Sequence, residues 1–317
     1  MRYITLLILC IVISSCGGDD SVTTSSSDTL IQAWLDSTGT TASRDDDTGI
    51  YYYADSLNPS GLEASSGTVA AIYYTLEDLN GNAIAQHQRN NGDSLIFKVD
   101  ASAVFPIGVD FGIRLMRVGE IYNFILPPNQ AYQSLTSGAI NADLIAHLQI
   151  QLVGVHSESD LIAQELVDID DYINTNNLND TVVNPLNTVL QFPASGISFK
   201  RLRAGAGALP LNGDTIIVDY TARFINETVF DRGTNFQWIY GSNNPRELLT
   251  GFEFGVSRMQ TGEDALVMIP SSQAYRESAL VIPNFIADDL VDDGIIPDYV
   301  LSVPPYRTLL FEISRVD

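Results

Sequence analysis

Cysteine and histidine are both scarce in this chain of 317 residues. The two cysteines are Cys10 and Cys16, and Cys10 lies inside an apolar run at the N-terminus. At most one thiol therefore belongs to the folded part, which excludes a disulfide framework and a thiolate metal site. The three histidines are scattered along the chain, which argues against a zinc site. We predict no metal and no cofactor, so stability must come from apolar cores.

Basic residues are also few, with 16 Lys and Arg against 39 Asp and Glu and a formal net charge of −23 at pH 7. So acidic a chain is repelled by nucleic acid, which is excluded as a partner. The N-terminal apolar run, residues 4–13, is too short to span a bilayer comfortably. With 45% hydrophobic residues, the remaining chain is long enough for two domains of ordinary size.

The N-terminus has the pattern of a bacterial lipoprotein signal. Arg2 precedes the apolar run, which closes with Ile13-Ser14-Ser15-Cys16. We predict a signal peptide over residues 1–15, lipidation of Cys16 and a membrane anchor made of lipid. An ordinary secretory signal would leave the position of Cys16 unexplained. Residues 16–28, rich in Gly, Ser, Thr and Asp, are predicted to form a disordered tether.

The rest of the chain contains the same pattern twice. Residues 108–120 match residues 251–263 at an offset of 143, and Tyr132 falls on Tyr275 at the same offset. Each copy predicts a leading helix, strands rich in β-branched and aromatic residues, one short helix and closing strands. The pattern predicts two tandem α+β modules, each an antiparallel sheet around a short helix. The predicted boundaries are 29–155, a linker with a leading helix at 156–195, and 196–317.

The second copy resembles FKBP-type peptidyl-prolyl isomerases over nearly all of residues 196–317. The resemblance rests on ordered segments at 213–220, 229–231, 248–252, 259–263, 269–275 and 303–312. It implies a sheet curled around the short helix and an aromatic cup that receives a proline. It assigns catalytic roles to Asp231, Tyr275 and Phe311 and places the substrate against Tyr220, Phe230, Phe236, Leu248, Leu249 and Phe252. Phe252 stands where the family usually has tryptophan.

The first copy departs from this pattern. It has Ile84-Ala85 at the Phe-Asp position, Val109 at the cup floor and Leu148 on the last strand, although Tyr74 and Tyr132 remain. We expect a preserved fold and a lost or weak catalytic cup. A further departure lies in the second copy, where residues 278–302 form an acidic insertion that either opens or plugs the cup.

Two functions remain open on the sequence. The first is a lipid-anchored prolyl isomerase that helps proline-containing polypeptides fold in the cell envelope, with the activity in the second copy. The alternative is a non-catalytic binding subunit of an outer-membrane assembly or secretion complex. Asp19 and Asp20, just behind Cys16, resemble a surface-export signal of Bacteroidetes-type lipoproteins, and favour the cell surface over the periplasmic face of the outer membrane.

Overall fold

The computed structural model of the protein describes residues 26–133, 135–179, 188–242 and 248–316. The predicted signal peptide and the lipidation site Cys16 lie outside these residues. The predicted tether reached residue 28, whereas the first helix begins at Ser26 and buries Asp28 beside Arg44. Within the described residues, no helix combines the length and apolarity needed to cross a membrane.

Residues 26–156 form the first module, which consists of a seven-stranded antiparallel sheet and two helices. Its elements are α1 (Ser26–Thr38), β1 (Ser43–Arg44), β2 (Tyr51–Ser56), β3 (Val69–Glu77), β4 (Ala83–His87), β5 (Leu95–Lys98), the short strand β6 (Val104–Phe105) beside the sheet, α2 (Gly108–Ile113), β7 (Ile121–Leu126) and β8 (Ala146–His156). The strands lie in the order β1-β2-β7-β8-β3-β4, and β5 also pairs with β3.

Residues 157–316 form the second module, which has a six-stranded antiparallel sheet. Its elements are α3 (Glu158–Thr175), β9 (Val189–Phe192), β10 (Ile197–Arg203), β11 (Thr215–Phe224), β12 (Val229–Ile239), α4 (Thr250–Val256), β13 (Asp264–Ile269), β14 (Leu280–Val281), α5 (Ala287–Asp292) and β15 (Leu309–Arg315). The sheet order is β9-β10-β13-β15-β11-β12. The segment predicted as a linker thus carries α3 and β9.

The two sheets share one topology. Read from the same edge, β1-β2-β7-β8-β3-β4 corresponds strand by strand to β9-β10-β13-β15-β11-β12. The registers correspond as well, since Leu76 lies opposite Leu148 in the first sheet and Ala222 lies opposite Phe311 in the second. The predicted α+β fold with two tandem modules is confirmed.

In both modules the short central helix approaches the sheet closely because glycine faces the strands. A Cβ on Gly112 would lie 2.7 Å from the ring of Phe124, and one on Gly255 would lie 2.6 Å from a methyl carbon of Val267. Contacts below 3.0 Å force a neighbour to shift. The glycines shared by the two copies therefore set the depth at which α2 and α4 lie in their sheets.

The longer helices cover the opposite face of each sheet. In the first module, Ile31 and Leu35 of α1 pack with Ile125 of β7. In the second, Ile169 of α3 packs with Met268 of β13. Each sheet is therefore covered on both faces, and its core face is the one that holds the central helix.

A buried carboxylate attaches α3 to the second module. Glu165 accepts hydrogen bonds from the backbone N–H of Ser271 at 2.6 Å, from the Ser271 hydroxyl and from the Thr308 hydroxyl at 3.1 Å. Burial raises the pKa of the Glu165 carboxyl. Since Ser271 lies four residues before Tyr275, this contact fixes the start of the loop that carries Tyr275.

The insertion at residues 278–302, which we call the strap, leaves its own module. Its strand β14 pairs in parallel with β6 of the first module, with Leu280 opposite Val104 and Val281 opposite Phe105. Strap side chains belong to the apolar core of the first module rather than to that of the second; they are Leu280, Val281, Ile282, Ile286, Ala287 and Leu290. The strap therefore joins the two modules through a shared core.

Candidate functional site

Aromatic rings from three strands and the short helix converge at the centre of the second module. Phe252 on α4 is 4% exposed and Phe311 on β15 is 5% exposed, with ring centroids 5.1 Å apart. Tyr220 on β11 lies 5.6 Å from the Phe252 ring and 5.9 Å from that of Phe311. Phe236 on β12 lies edge-on to Tyr220 at 5.8 Å. These four predicted site residues form one concave aromatic cup with Phe252 as its floor.

The remaining predicted residues surround this cup. Phe230 on β12 meets Phe311 edge-on at 6.3 Å, and Leu248 and Leu249 immediately precede α4. All three are half-buried and pack against the same core. The geometry thus brings together all nine residues that the resemblance assigned to the cup.

Trp238 belongs to the cup but was missed by the sequence reasoning. Its ring lies 5.9 Å from Phe252 and 5.6 Å from Phe236. Within the described part of the chain, its buried indole N–H has no hydrogen-bond partner. Trp238 follows Phe236 by two residues on β12, so both side chains lie on one face of the strand. That alternation was the available signal for Trp238 in the sequence.

Asp231 fixes the orientation of Tyr220. One carboxylate oxygen accepts from the Tyr220 hydroxyl at 2.8 Å, and the other accepts from the backbone N–H of Arg232 at 2.7 Å. Burial, followed by the hydrogen bond to Asp231, raises the pKa of Tyr220 above its ordinary value. Gly233 allows the ring to lie this close, because a Cβ there would stand 2.3 Å from a ring carbon of Tyr220.

Tyr275 differs from Tyr220 in having a free phenol. Its ring stacks on Tyr299 of the strap, with centroids 4.4 Å apart. No described residue forms a hydrogen bond with its hydroxyl. Burial is the largest cause that raises the pKa of Tyr275 to about 12, and the charge of Asp231 adds to it. The phenol therefore stays a neutral hydrogen-bond donor at physiological pH and is available to a bound molecule.

The cup opens into a groove of about 950 Å³ between the two modules. Its walls are Phe236, Leu248, Leu249 and Tyr275 of the cup, residues 101–103 of the first module, and residues 276–279 and 295–300 beside and within the strap. The strap therefore forms one wall of the groove, and Phe236, Leu248, Leu249 and Tyr275 at the rim of the second cup form the opposite one. The groove is large enough for several residues of an extended polypeptide.

Comparison with known proteins agrees with this geometry. The family model for FKBP-type peptidyl-prolyl cis-trans isomerases matches residues 61–153 and 207–315, which is one match in each module. The chain belongs to this family. The prediction of a tandem FKBP-type protein is confirmed.

Three curated relatives illustrate the similarity. FK506-binding protein 1 of Candida glabrata is 32% identical over 124 residues, which cover 38% of this chain and 90% of that protein. A probable FKBP-type isomerase, FkpA, of Neisseria meningitidis is 33% identical over 89 residues, covering 26% and 30%. Outer membrane protein MIP of Legionella longbeachae is 26% identical over 176 residues, covering 54% and 73%. For several other relatives the match spans only about a third of their length.

The FKBP cup of the first module has a different lining. Ala85 pairs with Leu76 on the neighbouring strand, as Asp231 pairs with Ala222 in the second module. Leu148 takes the register position of Phe311, and Val109 lies on α2 at the floor. Tyr74 and Tyr132 keep the phenols equivalent to those of Tyr220 and Tyr275, and the Tyr132 phenol donates to the backbone carbonyl of Ile282 in the strap at 2.9 Å.

Proposed function

We propose that this FKBP-type protein is a prolyl isomerase whose activity resides in the second module. The observation that carries the proposal is the aromatic cup whose rim borders the groove, with the free phenol of Tyr275 at that rim. The first module, with Ala85 and Leu148 in place of the carboxylate and the aromatic ring, serves as a brace. The proposed substrates of the second module are proline-containing polypeptides.

The proposed mechanism is rotation of a peptide bond without covalent chemistry. Amide resonance gives this rotation a barrier of about 18–20 kcal/mol. The cup accelerates rotation if it holds the twisted amide more tightly than the planar one. Phe252 and Phe311 hold the pyrrolidine ring away from water, which weakens the charge-separated planar form of the amide, while Tyr275 donates to a substrate carbonyl.

Asp231 acts in this scheme by holding Tyr220 in the wall of the cup. One of its oxygens binds the Tyr220 hydroxyl and the other a backbone N–H. No nucleophile, metal or cofactor takes part, because no bond is broken. Each 1.36 kcal/mol by which the cup favours the twisted amide gives a tenfold acceleration.

The groove extends the proposed binding site beyond the proline. Residues 101–103 of the first module and residues 295–300 of the strap line it together with the cup. A substrate chain with its proline over Phe252 therefore continues between the two modules. We expect a peptide of eight to ten residues to be a better substrate than a tetrapeptide with the same proline.

Exchange NMR on a proline peptide with catalytic amounts of the full chain tests the activity. Micromolar protein is expected to accelerate cis–trans exchange, and Asp231→Ala or Phe311→Ala to lower the catalysed rate. Val229→Ala is the matched control, because Val229 lies on the same strand as Asp231 and is 40% exposed. If a folded wild-type chain leaves the exchange rate unchanged, the non-catalytic binding subunit becomes the better description.

We also propose that the protein is attached to the outer membrane by lipid on Cys16 and faces the cell surface. The supports are the signal sequence that ends at Cys16 and the acidic pair Asp19-Asp20 behind it. Cys16→Ser is expected to give a released or mislocalised precursor, since the lipid is the proposed anchor. Protease added to intact cells should degrade the wild type, and Asp19→Ala with Asp20→Ala should protect it. Cleavage that occurs only after lysis would place the protein on the periplasmic face.

A further inference from the structure

A segment of the second module packs into the apolar core of the first module, beside β6 and Tyr132. Residues 280–283 of the strap, Leu-Val-Ile-Pro, run beside β6, which immediately precedes α2. At the offset of 143 residues, Phe105 of β6 corresponds to Leu248, which lies just before α4 in the second module. The strap therefore contacts the first module at a position that corresponds, in the second module, to the side of the cup that faces the groove.

Backbone hydrogen bonds hold the strap along this edge. The N–H of Leu280 donates to the carbonyl of Ala103 at 2.9 Å, and the N–H of Ile282 donates to the carbonyl of Phe105 at 2.8 Å. These alternate bonds are those of a parallel strand pair. Backbone pairing of this kind binds an extended peptide with little regard to its sequence, and pockets for alternate side chains supply selectivity.

A side-chain hydrogen bond fixes the register at the proline. The Tyr132 hydroxyl donates to the carbonyl of Ile282, the residue immediately before Pro283, at 2.9 Å. Tyr132 and Tyr275 occupy equivalent positions in the two modules. The phenol that is free in the second module is thus bound in the first to the carbonyl of an Ile-Pro bond.

Burial shows how fully the strap occupies the first cup. Ile282 is 0% exposed and joins one apolar cluster with Phe105, Val109 and Tyr132, and Pro283 is buried as well. A cavity of about 330 Å³, lined by Phe105, Tyr132 and Leu135 of the first module and by residues of the strap, remains beside this contact.

We propose that the first module is a binding site for extended aliphatic-aliphatic-proline segments, and that the strap is its internal ligand. The full chain then presents one open cup, in the second module, and one cup occupied by its own sequence. Occupation holds residues 101–103 in place as a wall of the groove beside the open cup. The assignment does not depend on isomerisation by the second module, since it concerns binding alone.

The ends of the strap lie close enough for excision. The Ser278 hydroxyl donates to the carbonyl of Val303 at 2.8 Å, so residues 280–301 can be replaced by a short Gly-Ser linker. The probe is a labelled synthetic peptide with the sequence of residues 278–287. Fluorescence anisotropy gives its affinity, and NMR shifts of the isotope-labelled protein show which cup it occupies.

The strapless variant is expected to bind the peptide with shifts at Ala103, Phe105 and Tyr132, and the wild type to show none there. Replacing the isoleucine equivalent to Ile282 by lysine in the peptide should weaken binding at least tenfold, because the charge would be buried. Tyr132→Phe in the strapless protein should weaken binding by about two- to twelvefold. The proposal would be overturned if a folded strapless variant did not bind the peptide, or if it bound the lysine-substituted peptide with the same affinity as the original.

Two measurements cover the case in which the strapless variant does not fold. Full-length Ile282→Asp keeps the length of the strap but is expected to release it, and should then bind the same peptide in the first cup. In the wild type, the amide hydrogens of Leu280 and Ile282 should exchange as slowly as those of the first sheet. Rapid exchange of these two amides would show that the strap is not seated, and would contradict the assignment.

Discussion

The two equivalent tyrosines allow one substitution to be tested in two environments. Tyr275→Phe removes a phenol that has no partner among the described residues, so the free energy of unfolding should change little. It also removes the donor proposed for a substrate carbonyl. A hydrogen bond of this kind contributes about 0.5–1.5 kcal/mol. We therefore expect kcat/KM to fall by about two- to twelvefold, since 1.4 kcal/mol corresponds to a factor of ten.

Tyr132→Phe also removes a phenol hydroxyl, but this hydroxyl already donates a hydrogen bond to the carbonyl of Ile282. The carbonyl of Ile282 would stay buried without its donor, which costs about 1–3 kcal/mol. The expected effect is a lower free energy of unfolding. Because the strap contributes to the core of the first module, the loss should appear in that module.

Urea denaturation and exchange NMR on both variants separate the two effects. The structure predicts that the loss of stability accompanies Tyr132→Phe and the loss of rate accompanies Tyr275→Phe. Equal stabilities with equal rates would refute both roles. A stability loss of 1 kcal/mol or more for Tyr275→Phe would show that its hydroxyl has an internal partner.

The remaining predictions concern the attachment of α3 and the protonation of the cup. Glu165→Ala should lower the free energy of unfolding by roughly 2–4 kcal/mol, because the donors of Ser271 lose their buried acceptor. Urea denaturation measures this change. As the control, Gln164→Ala at the exposed neighbouring position should stay within about 0.5 kcal/mol of the wild type. The rate of isomerisation should be constant between about pH 7 and 10 and fall only as the pH nears 12. The reason is that the raised pKa of Tyr275 keeps this donor protonated at pH values where a free phenol ionises. A rate already halved at pH 10 would contradict this.

Much of the second module could be predicted because its cup residues lie in short sequence segments that follow one another in a recognisable order. Tyr220, Phe252 and Phe311 belong to ordered segments with suitable spacing, and they meet in the structure as one cup. The spacing of Phe252 and Val256 on one helical face also predicted a short helix here, and α4 spans Thr250–Val256. Trp238 was not predicted, because the resemblance assigned the floor of the cup to Phe252. Its position two residues after Phe236, on the same face of the strand, was nevertheless visible in the sequence.

The placement of the strap could not be predicted from the sequence. Whether residues 278–302 open or plug their own cup depends on where Ile282 packs, and Tyr132, whose hydroxyl donates to the Ile282 carbonyl, lies 150 residues away in the sequence. Neither hydropathy nor spacing encodes so distant a pairing. The sequence did predict that the first cup lacks the carboxylate and most of the aromatic rings, while Tyr74 and Tyr132 remain.

We propose that the two cups differ: the second is open and the first is filled by the strap. The most direct measurement is an NMR titration of the isotope-labelled full chain with a proline peptide of unrelated sequence. The structure predicts saturable shifts at Phe252, Tyr275 and Phe311 and none at Tyr132. Shifts at Tyr132 of the same size and at the same peptide concentration would contradict the claim, since they would show that the first cup is open as well.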